Sequence, residues 1–130
     1  MVFTDWLNKN THLLLFFMVI STCTIIPCRA LAAELIMFSS PECSWCEAWE
    51  KDVGIIFQLT EEAKYFQLTH VDITDPLPPR LSNLDAVQYT PTFVVLDKQQ
   101  EIGRITGYTS EGLFWWELQN IIKRLPNAIR

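Results

Sequence analysis

The feature that most restricts what this chain can fold into is the run Phe38-Ser-Ser-Pro-Glu-Cys-Ser-Trp-Cys-Glu-Ala-Trp49. The apolar stretch Leu35-Ile-Met-Phe38 reads as the end of a strand, Ser39-Ser-Pro41 as a turn, and Cys43 and Cys46 as the opening of a helix. A cysteine at or beside a helix N-cap faces free backbone N–H groups and the positive end of the helix dipole, which stabilise a thiolate. Cys46, three residues on, shares that helical face and lies close enough to attack a mixed disulfide on Cys43. The layout implies thiol–disulfide exchange, with Cys43 as nucleophile and Cys46 as resolver.

Two structural alternatives compete with this reading. A CxxC pair is also half of many zinc sites, but zinc needs two further ligands. The chain has no second CxxC, and its only histidine beyond the N-terminus is His70. A pair of inert, buried cysteines is the other alternative, and a first cysteine exposed at a turn suits it poorly.

The N-terminal third has a different character. Leu13 to Ile26 is an apolar run of 14 residues, followed by Pro27-Cys-Arg-Ala-Leu-Ala-Ala33. As a helix the run would span about 21 Å, against roughly 30 Å of membrane hydrocarbon. Ala30-Leu31-Ala32 fits a signal-peptidase site, so residues 1–32 are expected to be a cleaved secretory signal and residues 33–130 the mature domain. An uncleaved membrane anchor is the competing reading, because Asp5 offsets Lys9 in the leading segment. Cleavage would remove Cys23 and Cys28 and leave only the CxxC pair in a disulfide-permissive compartment, the periplasm. The formal charge of −5 becomes −6 once Asp5, Lys9 and Arg29 are set aside, which argues against nucleic acid and against an anionic membrane surface.

Along the mature chain, Glu34–Ser39 reads as a buried strand. Trp49, Val53, Ile56 and Phe57 recur at helical spacing after the CxxC, with Glu47, Glu50, Lys51 and Asp52 mostly opposite. Trp49 is expected in the core, and Trp45, inside the CxxC loop, partly exposed beside the sulfur. Thr60 to Lys64 reads as a capped helical turn. Phe66–Thr74 follows as a strand with one polar face, hence an edge, with His70 half-exposed on it. Asp75-Pro-Leu-Pro-Pro79 excludes helix and central strand, and Leu81–Tyr89 fits a short irregular helix. Thr92–Asp97 and Ile102–Thr106 form a hairpin about Lys98–Glu101, closed by Gly107. Thr109 or Ser110 caps a last helix whose apolar face comprises Leu113, Trp116, Leu118, Ile121, Ile122 and Leu125. The fold class is α/β, in the order β-α-β-(loop or short helix)-β-β-α, with a mixed four-stranded sheet flanked by helices.

The CxxC at a helix start, Thr90-Pro91 before a hairpin and the glycine-ended last strand together resemble the thioredoxin superfamily. The resemblance implies a cis Pro91 packed against the CxxC and a Thr90 backbone that pairs with a substrate peptide. It extends over essentially the whole mature chain. Within the superfamily, Pro41-x-Cys-x-x-Cys-x-x-Trp49, Val71-Asp-Ile-Thr-Asp-Pro-Leu-Pro78, Tyr89-Thr-Pro-Thr-Phe-Val94 and Gly103-Arg-Ile-Thr-Gly-Tyr108, with Glu111, Phe114 and Trp115, are similar to one group. These are the small periplasmic thioredoxin-like proteins encoded with bacterial sulfur-oxidation systems. The likeness implies maintenance of a reduced thiol on that pathway's carrier protein. One position departs from thioredoxin: Met37 stands where thioredoxins bury an aspartate that accepts the resolving thiol's proton. Glu42 and Glu47 are close in sequence but expected to be exposed, so proton transfer is expected to run through water.

The expected function is thus an exported, monomeric reductase of protein disulfides. It needs no cofactor or metal but draws electrons from a membrane or periplasmic thiol donor. Cys43 and Cys46 do the chemistry, and Trp45, Thr90 and Pro91 shape the substrate groove. Two other readings use the same residues. One is a disulfide oxidase or isomerase; the other is a non-catalytic thioredoxin-fold adaptor or copper(I) carrier, for which two soft thiolates are suited.

Overall fold

Leu35, Ile36, Met37 and Phe38 are at most 2% exposed, and a strand buries an unbroken run of this kind only when both its faces are covered. A computed structural model describes residues 33–126, so the expected export segment, with Cys23 and Cys28, lies outside the described residues. The strand, β1 (Ala33–Ser39), is central: the sheet has four strands in the order β2-β1-β3-β4. β2 (Phe66–Asp72) pairs with β1 in parallel and forms one edge, as its polar face implies. β3 (Thr92–Asp97) runs antiparallel on the other side of β1, and β4 (Gln100–Thr106) forms the far edge.

Parallel neighbours require a crossover, and α1 supplies it. The helix starts as α over Ser44–Trp49, passes through a π turn over Glu50–Gly54, and ends as α over Ile55–Phe57. Trp49, Val53 and Phe57 are fully buried, whereas Ile56, which regular helical spacing places on the same face, is 36% exposed. The i→i+5 pattern of the π turn advances the chain less per residue, so every fourth residue stays in line and Ile56 is carried outward. Beyond the helix, Thr60 donates its hydroxyl to the Phe57 carbonyl at 2.8 Å. It closes α1 instead of capping the short 3-10 turn Glu62–Lys64.

β3 and β4 are joined by only two residues, Lys98 and Gln99, both with positive φ (50° and 67°). That geometry matches the right-handed twist of the strands it joins, although neither residue is the glycine or asparagine that favours it. Ser110 caps α2 (Glu111–Ile122) by accepting from the Leu113 N–H. The buried face of α2 carries Phe114, Leu118 and Ile121, continued beyond the helix by Leu125. Leu113 and Trp116, expected on that face, are instead 42% and 62% exposed. The Phe114 ring decides the rotation, because it stacks edge-on against Phe93 (4.9 Å) and Trp49 (5.5 Å). Gly103 of β4 lets α2 approach closely: an added Cβ would stand 2.8 Å from Ile121.

Both helices pack on one face of the sheet, around Leu35, Met37, Phe93, Val95 and Ile105. The opposite face, with Ile36, Phe38, Val71, Val94 and Leu96, is covered by Leu81, Leu84 and Val87 of the link between β2 and β3. That link contains a 3-10 turn at Pro79–Leu81 and no longer helix; the expected short helix over Leu81–Tyr89 does not form.

Candidate active site

β1 ends at Ser39, and the chain turns back through a Cys43 N–H bond to the Ser40 carbonyl (3.2 Å). This seats Cys43 as the N-cap of α1, with an extended backbone (φ −88°, ψ 96°). Cys43 and Cys46 are joined by a disulfide, their Cα atoms 5.2 Å apart. The Cys46 N–H, which has no partner within the helix, donates to the Cys43 sulfur at 3.0 Å. That is the donor a thiolate on Cys43 needs. The cysteines are 9% and 6% exposed, so Cys43 is less open than its turn position suggests. Trp45, between them, is 58% exposed, and Trp49 is fully buried, as expected of each. The Trp49 indole Nε1 finds no acceptor.

Beside the disulfide lies a cavity of about 370 Å³, walled by Met37 from β1, the turn Ser39–Pro41, both cysteines, and Glu47, Glu50, Lys51 and Ile55 of α1. From Phe38 to Glu50 the chain carries no Lys, Arg or His, so Lys51 is the first cation along α1. Glu42, adjacent to Cys43, is exposed.

The loop before β3 abuts the CxxC turn outside that cavity. The Thr90–Pro91 peptide is cis, Pro91 is buried and Tyr89 exposed. The Pro91 carbonyl accepts from Gly107 N–H at 2.7 Å, and Thr92 Oγ1 donates to the Tyr89 carbonyl at 2.8 Å. Ser40 and Thr90 meet through their hydroxyls at 3.2 Å, so the CxxC turn and the proline loop are in direct contact. Trp45, Thr90 and Pro91 do not line the cavity, which opens on the Met37 and Glu50 side of the cysteines.

Two pairings are not apparent from local sequence. Glu50 sits in the π turn, and its Oε1 lies 3.3 Å from His70 Nδ1 on β2. Its spacing of four from Cys46 was a legible signal; the partnership with His70 depends on the sheet. Asp52 accepts from the Tyr108 hydroxyl at 2.8 Å, and burial, together with that carboxylate, pushes the Tyr108 phenol up to about 12. Among the described residues no three His, Cys, Asp or Glu side chains converge as metal ligands.

A CxxC disulfide at a helix N-cap, in contact with a cis-proline loop on a four-stranded mixed sheet, defines a thiol–disulfide oxidoreductase of the thioredoxin type. The chain belongs to the thioredoxin-like domain family, whose model matches residues 9–122. It is similar to the reduced form of the periplasmic thioredoxin SoxS from Paracoccus pantotrophus, with 35% identity and a TM-score of 0.67 over 71% of this chain and 97% of that one. A thioredoxin from Thermus thermophilus follows at 26% identity and TM-score 0.55, covering 69% of this chain and 73% of that one. A thioredoxin-fold protein from Helicobacter pylori shares 25% identity at TM-score 0.54, over 69% and 68%. No curated protein sequence matches the chain.

Proposed function

We propose that this protein is an exported reductase of protein disulfides and mixed disulfides. The observation that carries the reading is the Cys46 N–H directed at the Cys43 sulfur from the open end of α1. It favours a thiolate on Cys43 and keeps Cys46 within bonding reach. The Cys43 thiolate attacks one sulfur of the substrate, the substrate's S–S bond breaks, and its other sulfur leaves with the electron pair and takes a proton. Cys46 then displaces the bound sulfur from Cys43. The substrate gains two electrons and the protein is left as the Cys43–Cys46 disulfide, to be reduced by a membrane or periplasmic thiol donor.

Thr90, Pro91 and Trp45 form the groove in which a substrate peptide lies. Residues 1–32 direct export, and the domain works as a periplasmic monomer. The similarity to SoxS, itself a periplasmic thioredoxin, supports that location. It also supports a role in keeping the thiol of a sulfur-oxidation carrier protein reduced.

Two measurements test the proposal. Turnover of insulin disulfides with dithiothreitol separates a reductase from an adaptor or copper carrier, which would give none. Cys46→Ser is expected to stop at the mixed disulfide and accumulate covalent adducts that reductant removes, while Cys43→Ser forms none. Equal trapping by both variants would overturn the assignment of roles.

A further inference from the structure

The resolving step makes a demand that the two cysteines do not meet alone. Cys46 attacks as a thiolate, but it is 6% exposed and lies behind the N-cap. Burial holds a thiol in its protonated form, so Cys46 needs a base when it attacks. Met37, beneath the site on β1, offers none.

Three contacts single out Glu50. It follows Cys46 by four residues, on the same side of α1, and lines the cavity that both cysteines line. Its carboxylate is folded back over Gly54, where an added Cβ would overlap it. From the sheet, His70 Nδ1 approaches Oε1 at 3.3 Å, and His70 is the register partner of Met37 on the adjacent strand. The carboxylate thus sits at the edge of the cavity, with room over Gly54 and His70 beside it. The other charged groups facing this space are Glu47 and Lys51, both exposed and on α1.

We propose that Glu50, seated over Gly54 and beside His70, accepts the Cys46 proton through solvent in the cavity. The inference rests on the exchange reading above. As the proton passes to the Glu50 carboxylate, the Cys46 thiolate attacks the Cys43 sulfur of the mixed disulfide. The Cys43–substrate bond breaks and the substrate sulfur leaves with the electron pair. When the protein's own disulfide is later reduced, Glu50 returns the proton to Cys46. Glu50 acts on Cys46 alone, so the first attack by Cys43 does not depend on it.

Reaction of the reduced full chain with 5,5′-dithiobis(2-nitrobenzoate) separates the steps. Cys43 releases the first thionitrobenzoate and Cys46 the second. Glu50→Gln is expected to slow the second release about a hundred-fold at neutral pH, the low end for general acid–base groups, and to leave the first within about two-fold. Its second phase should climb with pH as Cys46 itself ionises, above the ordinary thiol value of about 8.5 because the sulfur is buried, and meet the wild type in alkali. Gly54→Ala, which keeps the charge but displaces the carboxylate, should slow the same phase, and Glu50→Asp should restore part of the rate. Equal slowing of both releases would overturn the proposal, as would a slowed second release in Glu47→Gln but not in Glu50→Gln. A wild type that releases a single equivalent, with Cys46 still open to alkylation, would instead refute the exchange reading on which it rests.

Discussion

The acidity of Cys43 decides whether the site gives up electrons or takes them, and the structure sets its value. An unperturbed cysteine has a pKa of about 8.5. The Cys46 N–H at 3.0 Å gives a thiolate one charge-assisted hydrogen bond, worth about 1.5 kcal/mol, or roughly one unit. The end of α1 adds about 1 kcal/mol for a partly buried charge, a further ~0.7 unit. No cation lies between Phe38 and Glu50; Lys51, on the same cavity, acts in the lowering sense and Glu42 and Glu47 in the raising one, and all three are exposed, so each counts for a few tenths of a unit. The hydrogen bond and the helix end lower the thiol pKa, the burial of Cys43 opposes them, and the balance stays far from the ~3.5 of a strong oxidant. The expected potential is correspondingly nearer to about −270 than −120 mV. Titrating the reduced protein by thiolate absorbance in the ultraviolet, with Cys43→Ser as the blank, reads the value directly. Glu42→Gln should lower it by a few tenths of a unit. A pKa below about 5 would refute this reasoning and favour the oxidase reading.

Other outcomes follow from particular contacts. Trp45 lies inside the CxxC loop, so tryptophan emission should change on reduction and stay constant in Cys43→Ser; identical spectra in both redox states would place the rings outside the disulfide's reach. The raised Tyr108 phenol stabilises the fold fully below the ordinary tyrosine pKa of about 10 and loses that contribution as pH climbs toward about 12. Tyr108→Phe should therefore cost about 1.5 kcal/mol at neutral pH and blunt the alkaline loss, read from urea melts at several pH values. Two non-glycine residues with positive φ in the β3–β4 turn strain the backbone, and Lys98→Asn with Gln99→Gly should relieve about 1 kcal/mol. That would appear as a rise of roughly 4–8 °C in Tm, and a fall would show that Lys98 or Gln99 makes a favourable interaction in place.

Much of this architecture is legible in the sequence because burial leaves a period. The unbroken apolar runs of β1 and β3 mark central strands, and the alternating polar face of β2 marks an edge. Asp75–Pro79 forbids regular structure in either form. The cysteine pair and Trp49 fall where spacing puts them. The misplacements share a cause: rotation about a helix axis is set by partners distant in sequence. In Phe114-Trp-Trp116 every residue is apolar enough to be buried, and the rings of Trp49 and Phe93 select Phe114. Ile56 turns outward because of a π turn that no local pattern announces. The link between Glu50 and His70 spans helix and strand, so it exists only after β2 has taken its register against β1.

The uneven covering of the sheet also bears on how the site meets its partners. One face carries two helices and the aromatic core; the other is closed by a strap whose only fully buried anchor is Leu81. Arg80 clasps the strap to Glu34 through two parallel bonds of 2.7 and 2.8 Å, a bidentate pair that ties the strap at one point on the surface. Elements with few buried anchors open at lower free energy than the core around them. The amides of the strap, such as Leu81 and Leu84, should therefore exchange with solvent well before those of β1 and β3. The strap runs straight into Tyr89 and Thr90. The cysteine side of the site stands on the more deeply packed half of the molecule, while the proline side is joined to a strap with few buried anchors, so the proposed peptide groove has one firm wall and one expected to adjust.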